Sequence, residues 1–405
     1  MKEAAALAAR APEPESLGVY VHFPYCLQKC PYCDFLSVPV LRSEIPHRSY
    51  ADAVLAEIEL RAHDFDTELR SVFFGGGTPS LWETAELGRV LRAIRERFAT
   101  TRGAVEITAE CNPSSFDGRV AEGLLRAGVN RISLGVQSLD RDRLGFLGRL
   151  HDADGALGAV SLALSAGFER VSADLIFGVA GQTPEQAADE ARRLAALGLT
   201  HLSAYALTIE PGTRFGELER RGRLPLLGED QVAETFSAVE AALEAQGLSH
   251  YEISNYARPG AEAAHNLGYW RGQPYLGLGA GAWGTLRRAQ GWMRYRNTPS
   301  IERYLALGRG EAPASLEAES AWIAAVERVT PETALAERVM LGLRLAEGID
   351  AEALEAATGA PFWTRERRRA SEKWQSRGAL LVEGSRLRLA KQHWLLADGI
   401  IRELM

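Results

Sequence analysis

Cysteine is scarce, four in 405 residues. A secreted domain stapled by disulfides spreads an even number along its length, and this chain has no such spread. Long apolar runs are missing, so no stretch approaches the roughly 20 residues that span a bilayer as a helix. Basic clusters are missing too. The 46 Lys and Arg are scattered among 53 Asp and Glu, leaving a formal net charge of −7. That removes the electrostatic footprint of a nucleic-acid binder. Residues 1–16, MKEAAALAARAPEPES, hold Glu3, a very short apolar run and Arg10. Without the continuous apolar centre of a signal peptide they read as a loose tail. The expectation is a soluble protein of a reducing compartment, the cytoplasm, with no transmembrane segment.

What is present is ordered. An apolar share of 46% and a charged share of 24% are ordinary for a globular protein, and the length suits one large domain with an appendage. Short apolar runs alternate with longer amphipathic segments every 25–35 residues or so, as βα units do. Strands are expected at Gly18–Phe23, Ser71–Phe74, Val105–Ala109, Arg131–Val136, Arg170–Phe177 and His201–Thr208. Helical patterns lie between them at Tyr50–Ala62, Thr84–Arg97, Gly118–Ala127 and Glu185–Leu197. The fold class is therefore α/β, an incomplete (β/α)6 barrel over residues 17–250. After it come a connecting region, 251–330, and a smaller, mainly helical C-terminal domain, 331–405. Chemistry in such barrels gathers at the C-terminal ends of the strands.

The first strand runs straight into HFPYCLQKCPYCDF, with Cys26, Cys30 and Cys33 spaced x3 and x2. Three thiolates so spaced can each take one corner of a [4Fe–4S] cubane and leave the fourth iron open. A zinc site with Cys111 or His22 as fourth ligand, or a redox dithiol at Cys30 and Cys33, is also compatible with the cysteines alone.

This loop resembles the signature of radical S-adenosylmethionine (SAM) proteins. The wider pattern, from about Leu17 to the C-terminus, is similar to the branch holding oxygen-independent coproporphyrinogen III dehydrogenases and the haem chaperones. The resemblance implies a [4Fe–4S] cluster on the three cysteines, with SAM cleaved at its open iron to give a 5′-deoxyadenosyl radical. It also implies a SAM cradle. Gly76, Gly77 and Thr78 stand in FGGGTP, the motif that receives the amino group. Glu110 stands in ECNP, where the branch usually has alanine at Cys111. Gln137, Arg149 and Asp174 would contact ribose and carboxylate, and Tyr20 the adenosyl end.

Downstream, His265-Asn266-Leu267-Gly268-Tyr269-Trp270 is similar to the haem-binding motif of the chaperones, which implies His265 as an iron ligand beside two aromatic rings. The dehydrogenases carry a further cysteine two positions after the third, where this chain has Phe35, and a longer arm before the first strand. The implied function is haem binding and transfer to acceptor proteins, compatible with peripheral membrane contact. The alternative is the decarboxylating dehydrogenase.

Overall fold

The computed structural model describes residues 16–61, 67–98, 105–288, 291–311 and 319–405, so residues 1–15 of the expected tail lie outside it. Six parallel strands form the heart of the molecule: β1 (Leu17–Phe23), β2 (Leu69–Gly76), β3 (Glu106–Cys111), β4 (Arg131–Gln137), β5 (Arg170–Phe177) and β6 (His201–Ala206). Parallel strands need long crossovers, and helices supply them here. They are α1 (His47–Arg61), α2 (Thr84–Arg97), α3 (Gly118–Ala127), α4 (Ala153–Ala166), α5 (Pro184–Ala195) and, after the sixth strand, α6 (Glu229–Glu244).

Local chemistry sets these boundaries. Asp117 opens α3 by accepting from Val120 N, and Gly128 closes it in the left-handed region at φ 101. Thr183 and Gln186 form a reciprocal capping box on α5, with Pro184 in its first turn. On β1 the outward residues Leu17, Val19, Val21 and Phe23 are buried under the helices, while Gly18, Tyr20 and His22 alternate with them toward the interior.

The stretch expected as a connecting region completes the sheet instead. β7 (Ser249–Glu252) and β8 (Asn255–Ala257) add antiparallel beyond β6. On the opposite edge β9 (Tyr275–Leu278) runs parallel to β1. It is followed by β10 (Trp283–Arg288), β11 (Gly291–Asn297) and β12 (Ile323–Val329). The order is β12-β11-β10-β9-β1-β2-β3-β4-β5-β6-β8-β7, twelve strands that do not close into a ring. A buried network ties α1 to this added edge. The Glu57 carboxylate accepts from Gly279 N at 2.9 Å, Asn297 Nδ2 at 2.7 Å and Tyr304 OH at 2.6 Å, and pairs with Arg61 at 3.2 Å.

Between the two edges the chain crosses the lower, N-terminal end of the barrel. A short helix, α7 (Ala264–Trp270), sits there, and Glu106 at the start of β3 accepts from the backbone N–H of Ala264 and His265. Arg131 and Arg170, opening β4 and β5, donate to carbonyls of Ala261 and Gly260. The barrel is plugged from below.

Residues beyond β12 form a second apolar core around Leu335, Val339, Phe362, Leu387 and Ile400. It packs α8 (Pro331–Gly342), three later helices and a hairpin, Leu380–Glu383 with Arg386–Leu389. Among the described residues no helix is long and apolar enough to cross a membrane.

Candidate cofactor site

The upper, C-terminal end of the barrel opens into a cavity of ≈ 800 Å³, within the usual range for small-molecule sites. Cys26, Cys30 and Cys33 face it from the loop after β1. All three are free thiols. Backbone pairing of Tyr25–Cys26 with Val38–Pro39 closes that loop, and the Thr78 hydroxyl donates to Cys26 Sγ at 3.4 Å. Burial raises the Cys26 and Cys33 thiols. Among the described residues no three His, Cys, Asp or Glu side chains converge as the shell of one metal ion.

β2 delivers the glycine turn. Gly76 lies at φ 110, and a Cβ there would stand 2.4 Å from the His22 ring. A Cβ on Gly77 would meet the carbonyls of Tyr25 and Phe23 at 2.7 and 2.8 Å. Only glycine lets this strand end press against the cluster loop. Gly76→Ala should therefore combine left-handed strain with overpacking and lower stability by about 2–4 kcal/mol in denaturant melts.

β3 brings Glu110. Its Oε2 accepts from Gly76 N at 3.1 Å. Burial pushes its carboxyl up to about 8, and the nearby Asp174 charge adds to that. Asp174 on β5 is raised as well, mainly by burial, against hydrogen bonds from Ser203 and Ser133, the latter at 3.1 Å. Two buried carboxyls that resist ionisation suit a cationic guest.

Gln137 ends β4 at φ 69, where a bulge follows Gly135; among the described residues it alone has positive φ without being glycine. Its Oε1 is buried with no hydrogen-bond partner. Arg149 donates from Nη2 to Gly135 O at 2.7 Å and from Nη1 to Cys30 Sγ at 3.4 Å, while its Nε is buried without a partner. Native proteins rarely leave such atoms orphaned, and both side chains line the cavity, so a polar ligand there would complete them. Cys111 also borders the cavity, but its thiol is buried, pushed far up and turned to Ala109 O, a neutral packing residue.

Ten of the twelve expected residues thus share one cavity; Tyr20 and His265 do not line it. Tyr20 lies one inward layer below, opposite Phe73, and its hydroxyl donates to His22 Nδ1 at 3.0 Å. His22 Nε2 in turn donates to Leu36 O at 2.8 Å. Tyr20 thus supports the cluster loop through His22. His265 sits lower still, inside α7, 1% exposed, with Nδ1 2.9 Å from Ser71 Oγ and Nε2 2.8 Å from the Tyr269 hydroxyl. Sequence reasoning missed the far wall altogether. Phe236, Ile253, Trp394 and Leu395 cover the cavity, and Arg344, paired with Asp398 at 2.6 Å, closes it from the C-terminal domain.

Residues 20–194 match the radical SAM superfamily, and residues 329–396 match the HemN C-terminal domain. The chain is 35% identical over 398 residues to a Mycobacterium tuberculosis protein named Heme chaperone HemW, covering 98% of this chain and 96% of that one. The chain belongs to the HemW family. The Escherichia coli HemW is 40% identical over 270 residues, 66% of this chain and 70% of its own. Among solved structures, coproporphyrinogen III oxidase (HemN) from Escherichia coli superposes with a TM-score of 0.78 at 23% identity, covering 98% and 91% of the two chains. That likeness supports the incomplete radical SAM barrel and its C-terminal appendage. The match to the radical SAM superfamily implies a [4Fe–4S] cluster and SAM, and the thiols, raised carboxyls and orphaned Gln137 and Arg149 atoms fit both.

Proposed function

We propose that this chain is a haem chaperone, which binds haem and hands it to acceptor proteins in the cytoplasm, with a SAM-binding [4Fe–4S] cluster at the top of its barrel. The near-full-length similarity to proteins named Heme chaperone HemW carries the reading. Phe35 supports it. Where a decarboxylating dehydrogenase of the branch has a further cysteine, this chain presents an apolar ring, 59% exposed, at the cavity edge.

Cys26, Cys30 and Cys33 would hold the cluster. When bound, it supplies an electron to the SAM sulfonium and an open iron for the SAM amino and carboxylate groups. The remaining chemistry belongs to the protein. Gly76 and Gly77 let the backbone approach SAM closely. Arg149 offers its unused Nε to the carboxylate, and Gln137 offers Oε1 to a ribose hydroxyl. Glu110 holds a proton at neutral pH until a cationic ligand displaces it. Phe236, Ile253 and Trp394 keep water away from the site.

Anaerobically reconstituted protein should bind one haem per chain in a Soret titration. With coproporphyrinogen III, SAM and a reductant it should yield no protoporphyrinogen IX. Conversion of coproporphyrinogen III would replace this reading with the dehydrogenase.

A further inference from the structure

We infer that His265 is a positioning residue beneath the floor of the SAM cavity and not the ligand of haem iron. The inference rests on the chaperone reading only where haem is concerned.

An imidazole that binds iron needs one ring nitrogen free and open space along its lone pair. His265 has neither. Ser71 Oγ at 2.9 Å and the Tyr269 hydroxyl at 2.8 Å occupy Nδ1 and Nε2. Each hydroxyl can donate or accept, so either neutral tautomer is satisfied. Phe73 stacks on the ring at 5.0 Å and 26°, and a methyl placed on Gly18 would already touch it at 3.4 Å. A porphyrin has no entry to this space. Its backbone is held as well. Glu106 accepts from the N–H of Ala264 and of His265, and pairs with Arg131 and Arg170. A second cavity of ≈ 320 Å³ reaches Tyr269 but stops short of the imidazole.

The contacts above the ring indicate its task. His265 lies 6.5 Å from the Tyr20 ring, which stacks on Phe73 at 6.2 Å. Phe73, Tyr20 and Glu110 converge on Gly75, whose missing Cβ would lie 2.9, 3.0 and 3.1 Å from them. His265 therefore fixes two rings, and those rings set the height of Glu110. Displacing a contact group by a fraction of an ångström is enough to weaken a preorganised site.

His265→Asn and His265→Gln each retain one of the two hydrogen bonds; His265→Ala retains neither. Each variant would be reconstituted anaerobically and checked by circular dichroism. Haem is titrated through the Soret band, and SAM through its effect on the paramagnetic signal of the reduced cluster. The Asn and Gln variants should take up one haem with affinity within about three-fold of wild type. The Ala variant should lose about 10-fold in SAM affinity, with most of it regained in Asn or Gln. Loss of the Soret band in folded, cluster-containing Asn and Gln variants would overturn the inference. So would unchanged SAM affinity in the Ala variant. Should wild-type protein take up no haem, the chaperone reading falls, and the SAM measurement still decides the role of His265.

Discussion

Cys30→Ala is expected to fold normally and to contain no acid-labile sulfide after anaerobic reconstitution. Cys30 is only half-buried, and its sulfur makes loose contacts with Arg149, with the Tyr32 hydroxyl and, at 4.0 Å, with Gly148 O. Replacing a thiol so placed shifts stability by roughly 0.5 kcal/mol or less, so thermal melts of the apoprotein should nearly overlay. The cluster has no such tolerance. With three cysteines for four irons the site already lacks one protein ligand, and losing a second leaves a cubane held on one edge. Iron and sulfide should fall to background together. Cys111→Ala supplies the contrast. Its thiol is a buried packing group, so that variant should keep full iron and sulfide while losing a little stability. Wild-type sulfide in Cys30→Ala would remove the basis for the SAM site.

The barrel was open to reading from sequence because its strands are covered by helices on the outside and polar inside. Arg170–Phe177 is expected and found with identical bounds, since Val171, Ala173 and Leu175 face helices while Ser172 and Asp174 face inward. The site residues were found together because each one leaves a strand at the same end. Depth was harder. Alternation places Tyr20 on the inward face of β1 but does not say how far down, and it lies one residue pair below the Gly75 and Glu110 level. The environment of His265 was out of reach of local pattern. Its decisive partner, Ser71, is 194 residues away, and the helix that carries it is only seven residues long. The covering wall failed for a similar reason. Trp394 stands in a short turn, Lys391–Leu396, and Arg344 falls two residues past the end of α8 at Gly342, so helical periodicity assigns neither to a cavity wall.

Glu110→Gln should weaken SAM about 10- to 100-fold, the effect of losing one charge-assisted hydrogen bond in a dry site. The pH dependence separates this from simple misfolding. An unfolded glutamate titrates near 4.3, whereas burial and the Asp174 charge hold Glu110 up to about 8. Between those values the folded chain keeps a proton that the unfolded chain has lost. Ligand-free stability therefore falls as pH rises through that window and levels off above it. Asp174, raised by the same burial, tilts the slope the same way; Tyr20, close by, titrates well above this range, and Arg149 stays charged throughout. The Gln variant lacks Glu110's share of the slope, so its melting temperature should gain on wild type between pH 5 and 8.5. SAM works in the opposite direction, because its sulfonium favours the ionised carboxylate. Wild-type affinity for SAM should accordingly climb as pH rises toward about 8, with a proton released on binding, and level off above it. S-adenosylhomocysteine, whose sulfur is uncharged, should climb less, and Glu110→Gln should remove the difference between the two ligands. Equal pH profiles for both ligands in wild type would mean that Glu110 does not sense the charge of the guest, and its place in the SAM cradle would have to be given up.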